Sequence, residues 1–151
     1  MAKQAPKYTP KDSSDLIEKF INYVMLDGKK TTARRIFDDA MDIIKARGYN
    51  KPRETFEKAI RNVQPSLEVR AKRIGGSVYQ IPVEVQAKRQ MALAFRWILG
   101  AARDKKGSPL ARRLADELIE ACEGTGTAIK KKEDTFKMAQ ANKAFAHLAR
   151  Y

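Results

Sequence analysis

"VRAKRIGGSVYQIPVEV", residues 69–85, decides how this chain is read. It is rich in β-branched residues, has Gly75-Gly76 at its middle, and carries Arg70, Lys72 and Arg73 beside Tyr79. Two short strands flanking Gly-Gly predict a hairpin, because glycine tolerates the positive φ angles of a tight turn. Pro82 lacks a ladder donor and belongs at an edge or strand end. The reading is a two-stranded ribbon at about residues 67–83. With Gly75-Gly76 as a two-residue loop, Lys72 faces Tyr79, Arg70 faces Ile81, and Arg73 faces Val78 on the other side. A slip of one residue would exchange the faces. Both faces mix basic and apolar residues, so neither marks a core face. The ribbon therefore reads as an arm lying on a polyanion, with cations for phosphates and the Tyr79 ring for stacking.

Outward from the ribbon the apolar period becomes helical. Upstream, Ser13 or Ser14 caps a helix carrying Leu16, Ile17, Phe20, Ile21 and Val24, and Gly28 ends it. Thr31 or Thr32 starts a second helix with Ala33, Ile36, Phe37, Ala40, Met41 and Ile44 on one stripe, closed by Gly48. Pro52 suits the first turn of a third, with Phe56, Ala59, Ile60 and Val63 inward and Pro65 as a stop. Downstream, a fourth helix spans about Gln86 to Lys105. Ser108-Pro109 restart the chain into a fifth with Leu110, Leu114, Ala115, Leu118 and Cys122. "EGTGTAIKKKED" reads as a loop with a basic run, and a last helix turns Met138, Ala141, Phe145 and Leu148 inward. The expected fold is mainly α: about six helices in a single-domain bundle, residues 13–151, with a protruding β-hairpin. Residues 1–12, "MAKQAPKYTPKD", read as a flexible basic arm.

The chain has 151 residues, 43% of them hydrophobic, which suffices for one domain with a real core. It carries 31 Lys+Arg against 18 Asp+Glu, a net charge of +13. A soluble domain typically needs only about 2–8 charges, so this excess points to a polyanion partner, nucleic acid first. The single cysteine, Cys122, excludes an internal disulfide and suits a reducing compartment; on an apolar stripe it reads as core filling. No apolar run reaches the roughly 18 residues of a membrane span, and the N-terminus lacks a signal-peptide core. No membrane partner is expected, and the place is cytosolic, or an organelle after processing.

The positive charge is patterned. With Arg89 at zero on helix four, Arg96 and Arg103 fall about 20° and 40° away, while Ala87, Met91, Ala94, Phe95, Ile98 and Ala102 cluster opposite. This is an arginine ridge backed by core, with Trp97 packed at the core edge. Lys29 and Lys30 precede the second helix and Arg34 and Arg35 open it. Lys130, Lys131 and Lys132 precede the last helix, whose polar face adds Lys143 and His147. Cations at a helix start oppose the macrodipole, and a phosphate there would be favoured by amides and side chains together.

Catalytic constellations are missing. One His and one Cys cannot build a usual zinc site, and a lone "GTG" lacks the rest of a phosphate-binding fingerprint. No catalytic residue, metal, cofactor or small-molecule substrate is expected, and the chain does not read as an enzyme.

Four stretches, "FINYVMLDGKKTTARRI" (20–36), "VRAKRIGGSVYQIPVEV" (69–85), "ALAFRWILGAAR" (92–103) and "GTGTAIKKKEDTFKMAQANKAFAHLARY" (124–151), together resemble small-subunit ribosomal protein S seven of bacterial or organellar type. The resemblance runs in order from about residue 14 to the end. It implies a helical fold with a protruding ribbon. It implies a primary binder of small-subunit ribosomal RNA (16S in bacteria), in the 3′ major domain, that nucleates assembly of the subunit head. It implies a position near exit-site tRNA and the mRNA exit channel, with Arg73, Gly75, Gly76 and Tyr79 of the ribbon towards the subunit interface. Ribosomal proteins of the head and platform are the implied neighbours. The family's RNA-contacting regions fall on Lys29, Lys30, Arg34, Arg35, Arg70, Lys72, Arg73 and Lys130 to Lys132. The short N-terminal arm departs from the family in having no arginine. On binding physics alone, the alternative is an architectural DNA-binding protein whose basic ribbon and helices embrace a bent duplex.

Overall fold

The first helix, α1 (Asp15–Val24), starts where Ser14 accepts a hydrogen bond from the Ile17 amide at 3.3 Å and so satisfies one donor of the first turn. The computed structural model describes residues 10–11 and 13–150, so the expected arm, residues 1–12, lies almost wholly outside the described residues. After α1 come α2 (Lys30–Ala46), α3 (Pro52–Val63), strands β1 (Leu67–Ile74) and β2 (Ser77–Glu84), α4 (Ala87–Asp104), α5 (Leu110–Cys122) and α6 (Thr127–Ala141). A 3-10 helix, Lys143–Arg150, follows. The mainly α reading with one antiparallel hairpin holds among the described residues.

Each helix is placed by its apolar stripe. Phe20 of α1 is fully buried at the point where four helices meet. Its ring stands edge-on to Phe37 of α2 at 5.9 Å, Phe56 of α3 at 4.9 Å and Phe95 of α4 at 5.2 Å. Such edge-to-face pairs contribute about 0.5–1.5 kcal/mol each beyond area burial. Ile98 of α4 and Leu114 and Leu118 of α5 join the same core, and Trp97 and Cys122 pack half-buried at its edge.

Four boundaries differ from the sequence reading. Helix α2 begins at Lys30, ahead of Thr31 and Thr32, and Lys29 occupies the cap position with no side-chain hydrogen bond. The turn at Asp27 and Gly28, with φ of +53° and +73°, delivers the chain straight into the helix. Ala87 opens α4 and is exposed there, so the inward stripe starts later and adds Leu93, Leu99 and Ala101. Residues 127–134, read as loop, are helical: the Thr125 amide and hydroxyl donate to the Glu120 carbonyl at 2.8 and 3.2 Å, and Ala128 and Ile129 then seal against the core. Lys130, Lys131 and Lys132 thus lie inside the helix. Finally, α6 stops at Ala141, where Asn142 Nδ2 donates to the Met138 carbonyl at 2.8 Å. Beyond it the chain tightens to three residues per turn, so a stripe drawn at 3.6 does not stay on one face. Met138 and Ala141 are exposed, Phe145 and Leu148 are half-buried, and the inward residue of that turn is Ala139.

The ribbon has the expected register, Arg70 opposite Ile81, Lys72 opposite Tyr79 and Arg73 opposite Val78. Gly75 and Gly76 both have positive φ, +59° and +86°, as a type I′ turn requires. The ribbon does have a core face, contrary to the sequence reading. Ile81 is 1% exposed, and the Tyr79 ring packs on Phe145 at 5.3 Å between centroids. Strand β2 lies along the 3-10 helix and β1 along α6. Alternation had hidden this face, because charged Glu68, Arg70 and Lys72 share it with Ile81 and Tyr79.

Candidate nucleic-acid interface

At the start of α2, Lys29 and Arg35 are exposed, and their side chains make no hydrogen bond or ion pair among the described residues. Arg34 is held differently. Its two terminal nitrogens donate to the two oxygens of Glu18 in α1, each at 2.8 Å, and Ser13 Oγ donates to the same carboxylate at 2.7 Å. Lys30 Nζ stands 3.9 Å from it. Glu18 is buried, yet the hydrogen bond from Arg34, outweighing burial and aided by Ser13, lowers its pKa from 4.5 to about 2. Arg34, expected among the RNA-facing cations, is thus an α1–α2 clamp.

The arginine ridge of α4 is exposed along its length, as its phase predicts, but its members differ. Arg89 Nε donates to both oxygens of buried Glu68 at 2.8 and 3.1 Å, and Arg70 adds bonds of 3.1 and 3.2 Å to the same carboxylate. Burial pushes the Glu68 pKa up, and the bonds from Arg89 and Arg70 reverse this and leave it lowered. Arg103 donates to the Tyr23 and Val24 carbonyls at 3.3 and 3.4 Å, satisfying the end of α1. The Arg96 side chain has no intramolecular hydrogen bond or ion pair among the described residues. One ridge therefore holds two structural arginines and one with its guanidinium open.

The same division runs through α6. Lys132 Nζ donates to the Asn62 carbonyl at the end of α3 at 2.8 Å, while Asn62 Nδ2 donates to the Ala121 and Cys122 carbonyls of α5 at 3.0 and 3.1 Å. Lys130, Lys131 and Lys143 are exposed without such partners. On the ribbon, Lys72 and Arg73 make no ion pair among the described residues. His147 is exposed and pairs only locally, with the Ala144 carbonyl at 3.1 Å.

Lys29 and Arg35 at α2, and Lys130 and Lys131 in α6, lie near helix starts that lack the usual anionic compensation. Helices α2, α4, α5 and α6 begin with no side-chain cap and no acid in the first turn, whereas α1 has Ser14, Asp15 and Glu18. First-turn amides and neighbouring cations then both favour a phosphate. Sequence reading had missed the buried acids that sort these cations. Their signal is positional: Glu18 lies three residues before Ile21, and Glu117 lies between Leu114 and Ala121, both on apolar stripes. Glu117 is fully buried with Lys105 Nζ 2.8 Å away, and burial raises its pKa against that cation. Among the described residues no group of His, Cys, Asp or Glu is placed to hold a metal ion, and no helix is long and apolar enough to cross a membrane.

Comparison with known proteins fits this geometry. The family model described as "Ribosomal protein S7p/S5e" matches residues 1–143. The chain is 56% identical over 132 residues to the "Small ribosomal subunit protein uS7" of Thermotoga petrophila, covering 87% of this chain and 85% of that protein. It is 54% identical over 142 residues to the protein of that name from Rhodopirellula baltica, covering 93% and 90%. With that from Sulfurimonas denitrificans it shares 51% over 138 residues, covering 91% and 89%. The architectural DNA-binding alternative finds no support in these matches.

Proposed function

The chain belongs to the ribosomal protein S7p/S5e family of the small subunit, and from that premise we propose how its surface binds ribosomal RNA. Membership makes it a structural component of the small ribosomal subunit, in the ribosome, with ribosomal RNA and ribosomal proteins as its partners. The finer reading is that residues 13–151 act as one RNA-binding unit. They bind the 3′ major domain of the RNA, nucleate assembly of the head, and carry out no catalysis. The ribbon tip, Arg73 to Val78, reaches towards exit-site tRNA and the mRNA exit channel. In a bacterium this places the chain in the cytoplasm.

One observation carries the residue assignment: the basic side chains divide into those held by the fold and those left open. Among the cations singled out in the sequence, Lys29, Arg35, Lys72, Arg73, Arg96, Lys130, Lys131 and Lys143 are left open among the described residues and are assigned to phosphates. Lys30 joins them, because its contact with Glu18 is long at 3.9 Å. Arg34, Arg70, Arg89, Arg103 and Lys132 shape the surface first and contribute charge second. Tyr79 is half-buried against Phe145, so its ring supports the ribbon and leaves only its exposed part for RNA. The test is a salt titration against a folded fragment of the RNA domain, with random duplex DNA as competitor. Neutralising six to ten phosphates costs about 10³–10⁵ in affinity between roughly 50 and 200 mM salt on a duplex scale. A flat titration, or equal competition by duplex DNA, would count against the assignment.

A further inference from the structure

Between α1 and α4 the surface opens into a groove of about 220 Å³. Its floor is apolar, made of Tyr23, Met91 and Phe95, with the Tyr23 and Phe95 rings edge-on at 5.3 Å. Its rim carries Lys19 and Asn22 from α1 and Lys88 from α4, and no carboxylate lines it. None of these three rim side chains has a hydrogen bond or ion pair among the described residues. Around α4, Arg96 falls about 90° from the centre of the groove lining, so the open part of the arginine ridge flanks its mouth.

We propose that this groove takes one unstacked nucleobase of the ribosomal RNA, which deepens the RNA-binding reading and rests on it. An apolar floor calls for a flat or aliphatic group, an unpaired carboxamide calls for a partner with donors and acceptors, and two ammonium groups on opposite walls call for anions on both sides. A nucleotide within a strand meets all three. Its base lies against Met91 and Tyr23, its polar edge meets the Asn22 carboxamide, and its two flanking phosphates meet Lys19 and Lys88. An apolar anchor from a basic neighbouring protein would instead meet the repulsion of both lysines.

The test uses the full chain titrated with the four ribonucleoside 5′-monophosphates and with ribose 5-phosphate, read by amide chemical shifts. Saturable shifts at Asn22, Tyr23 and Met91 are expected with at least one nucleotide, absent with ribose 5-phosphate, and abolished by Ala92→Phe, which fills the groove. Equal shifts from ribose 5-phosphate would reduce the groove to a phosphate contact and overturn the proposal. With the RNA fragment, Asn22→Ala and Ala92→Phe should weaken binding, Ala92→Phe by about 5- to 150-fold given the usual strength of base stacking, and should expose one base to chemical probing. Asn22 is exposed, so its variant keeps the wild-type melting temperature and separates contact from folding. Unchanged affinity and unchanged protection in both variants would also overturn the proposal. The nucleotide titration does not depend on the fragment. A protein that takes nucleotides but fails to bind the fragment would uphold the groove and overturn the ribosomal-RNA assignment instead.

Discussion

At the base of the ribbon, Glu68 is buried under Arg70 and Arg89, Ile81 is sealed against the helices, and Tyr79 packs on Phe145. Near the tip, Arg73 makes no ion pair among the described residues and Val78 is 63% exposed. The residue types are alike, since both ends mix arginine with β-branched side chains. What separates them is a single buried carboxylate. Where an acid lies on the packed face, it draws the guanidinium groups inward and ties the ribbon to α4. Where none does, the cations stay open to a polyanion. The two starts of α1 and α2 repeat the lesson, with Glu18 taking Arg34 and leaving Lys29 and Arg35 outside.

The largest effect expected from breaking this arrangement is in the core. Ile98→Ala removes a fully buried side chain shared by the helices and should cost about 2–5 kcal/mol in urea unfolding. RNA affinity measured well below the transition should change little, because no open cation moves.

Next comes the base of the ribbon. Glu68→Ala leaves Arg89 and Arg70 without their shared acceptor. Hydrogen bonds to charged groups are worth about 1.5–3 kcal/mol, but both guanidinium groups are half in water, so a loss of about 1 kcal/mol is expected. Hydrogen exchange should rise along β1 and β2 more than in α2. A uniform rise would mean that the ribbon is not separately anchored.

The pH profile sharpens the contrast between buried acids. Glu18 is depressed from 4.5 to about 2, so its stabilisation is complete above about 4.5 and drains away as pH falls towards 2. Glu117 is raised from 4.5 by burial, so its contribution is complete below that value and declines as pH rises through the raised pKa. Melting temperatures should therefore show Glu18→Gln losing ground to the wild type as pH rises from 2 to about 5, and Glu117→Gln gaining ground as pH rises above 4.5. Parallel profiles for the two variants would contradict the assignment.

Much of the fold was legible because burial leaves a period. The stripes of α1 to α5 and the Gly75-Gly76 turn are local patterns, and the hairpin register follows from the turn alone. The C-terminal region was harder to read. Only Ala128, Ile129 and Ala139 of α6 are buried, too few to announce a helix, and the 3-10 segment changes the period midway. The candidate site was legible in its charges but not in their division. Arg34 pairs 16 residues back, Arg89 pairs 21 residues back, and Lys132 reaches 70 residues back to Asn62. Those separations are tertiary, and no spacing rule within one element reveals them.

The smallest effect on folding is expected at the ribbon tip. Replacing residues 73–78, "RIGGSV", by a short Gly-Ser turn removes no fully buried side chain, so unfolding should shift by no more than about 0.5 kcal/mol. Affinity for the isolated RNA domain should fall only in part, and the larger defect should appear as reading-frame errors in assembled subunits. A collapsed melt would make the tip part of the core.

The division of the ridge itself is tested most directly by Arg96→Ala set against Arg89→Ala, with urea unfolding and a salt titration on the RNA fragment for each. Arg96→Ala is expected to keep wild-type stability, weaken RNA binding, and lower the magnitude of the salt slope by about 0.7–0.9. Arg89→Ala is expected to lose stability by uncovering Glu68. If Arg96→Ala destabilises the fold and leaves RNA affinity unchanged, the open arginine is structural and the division of the ridge is contradicted.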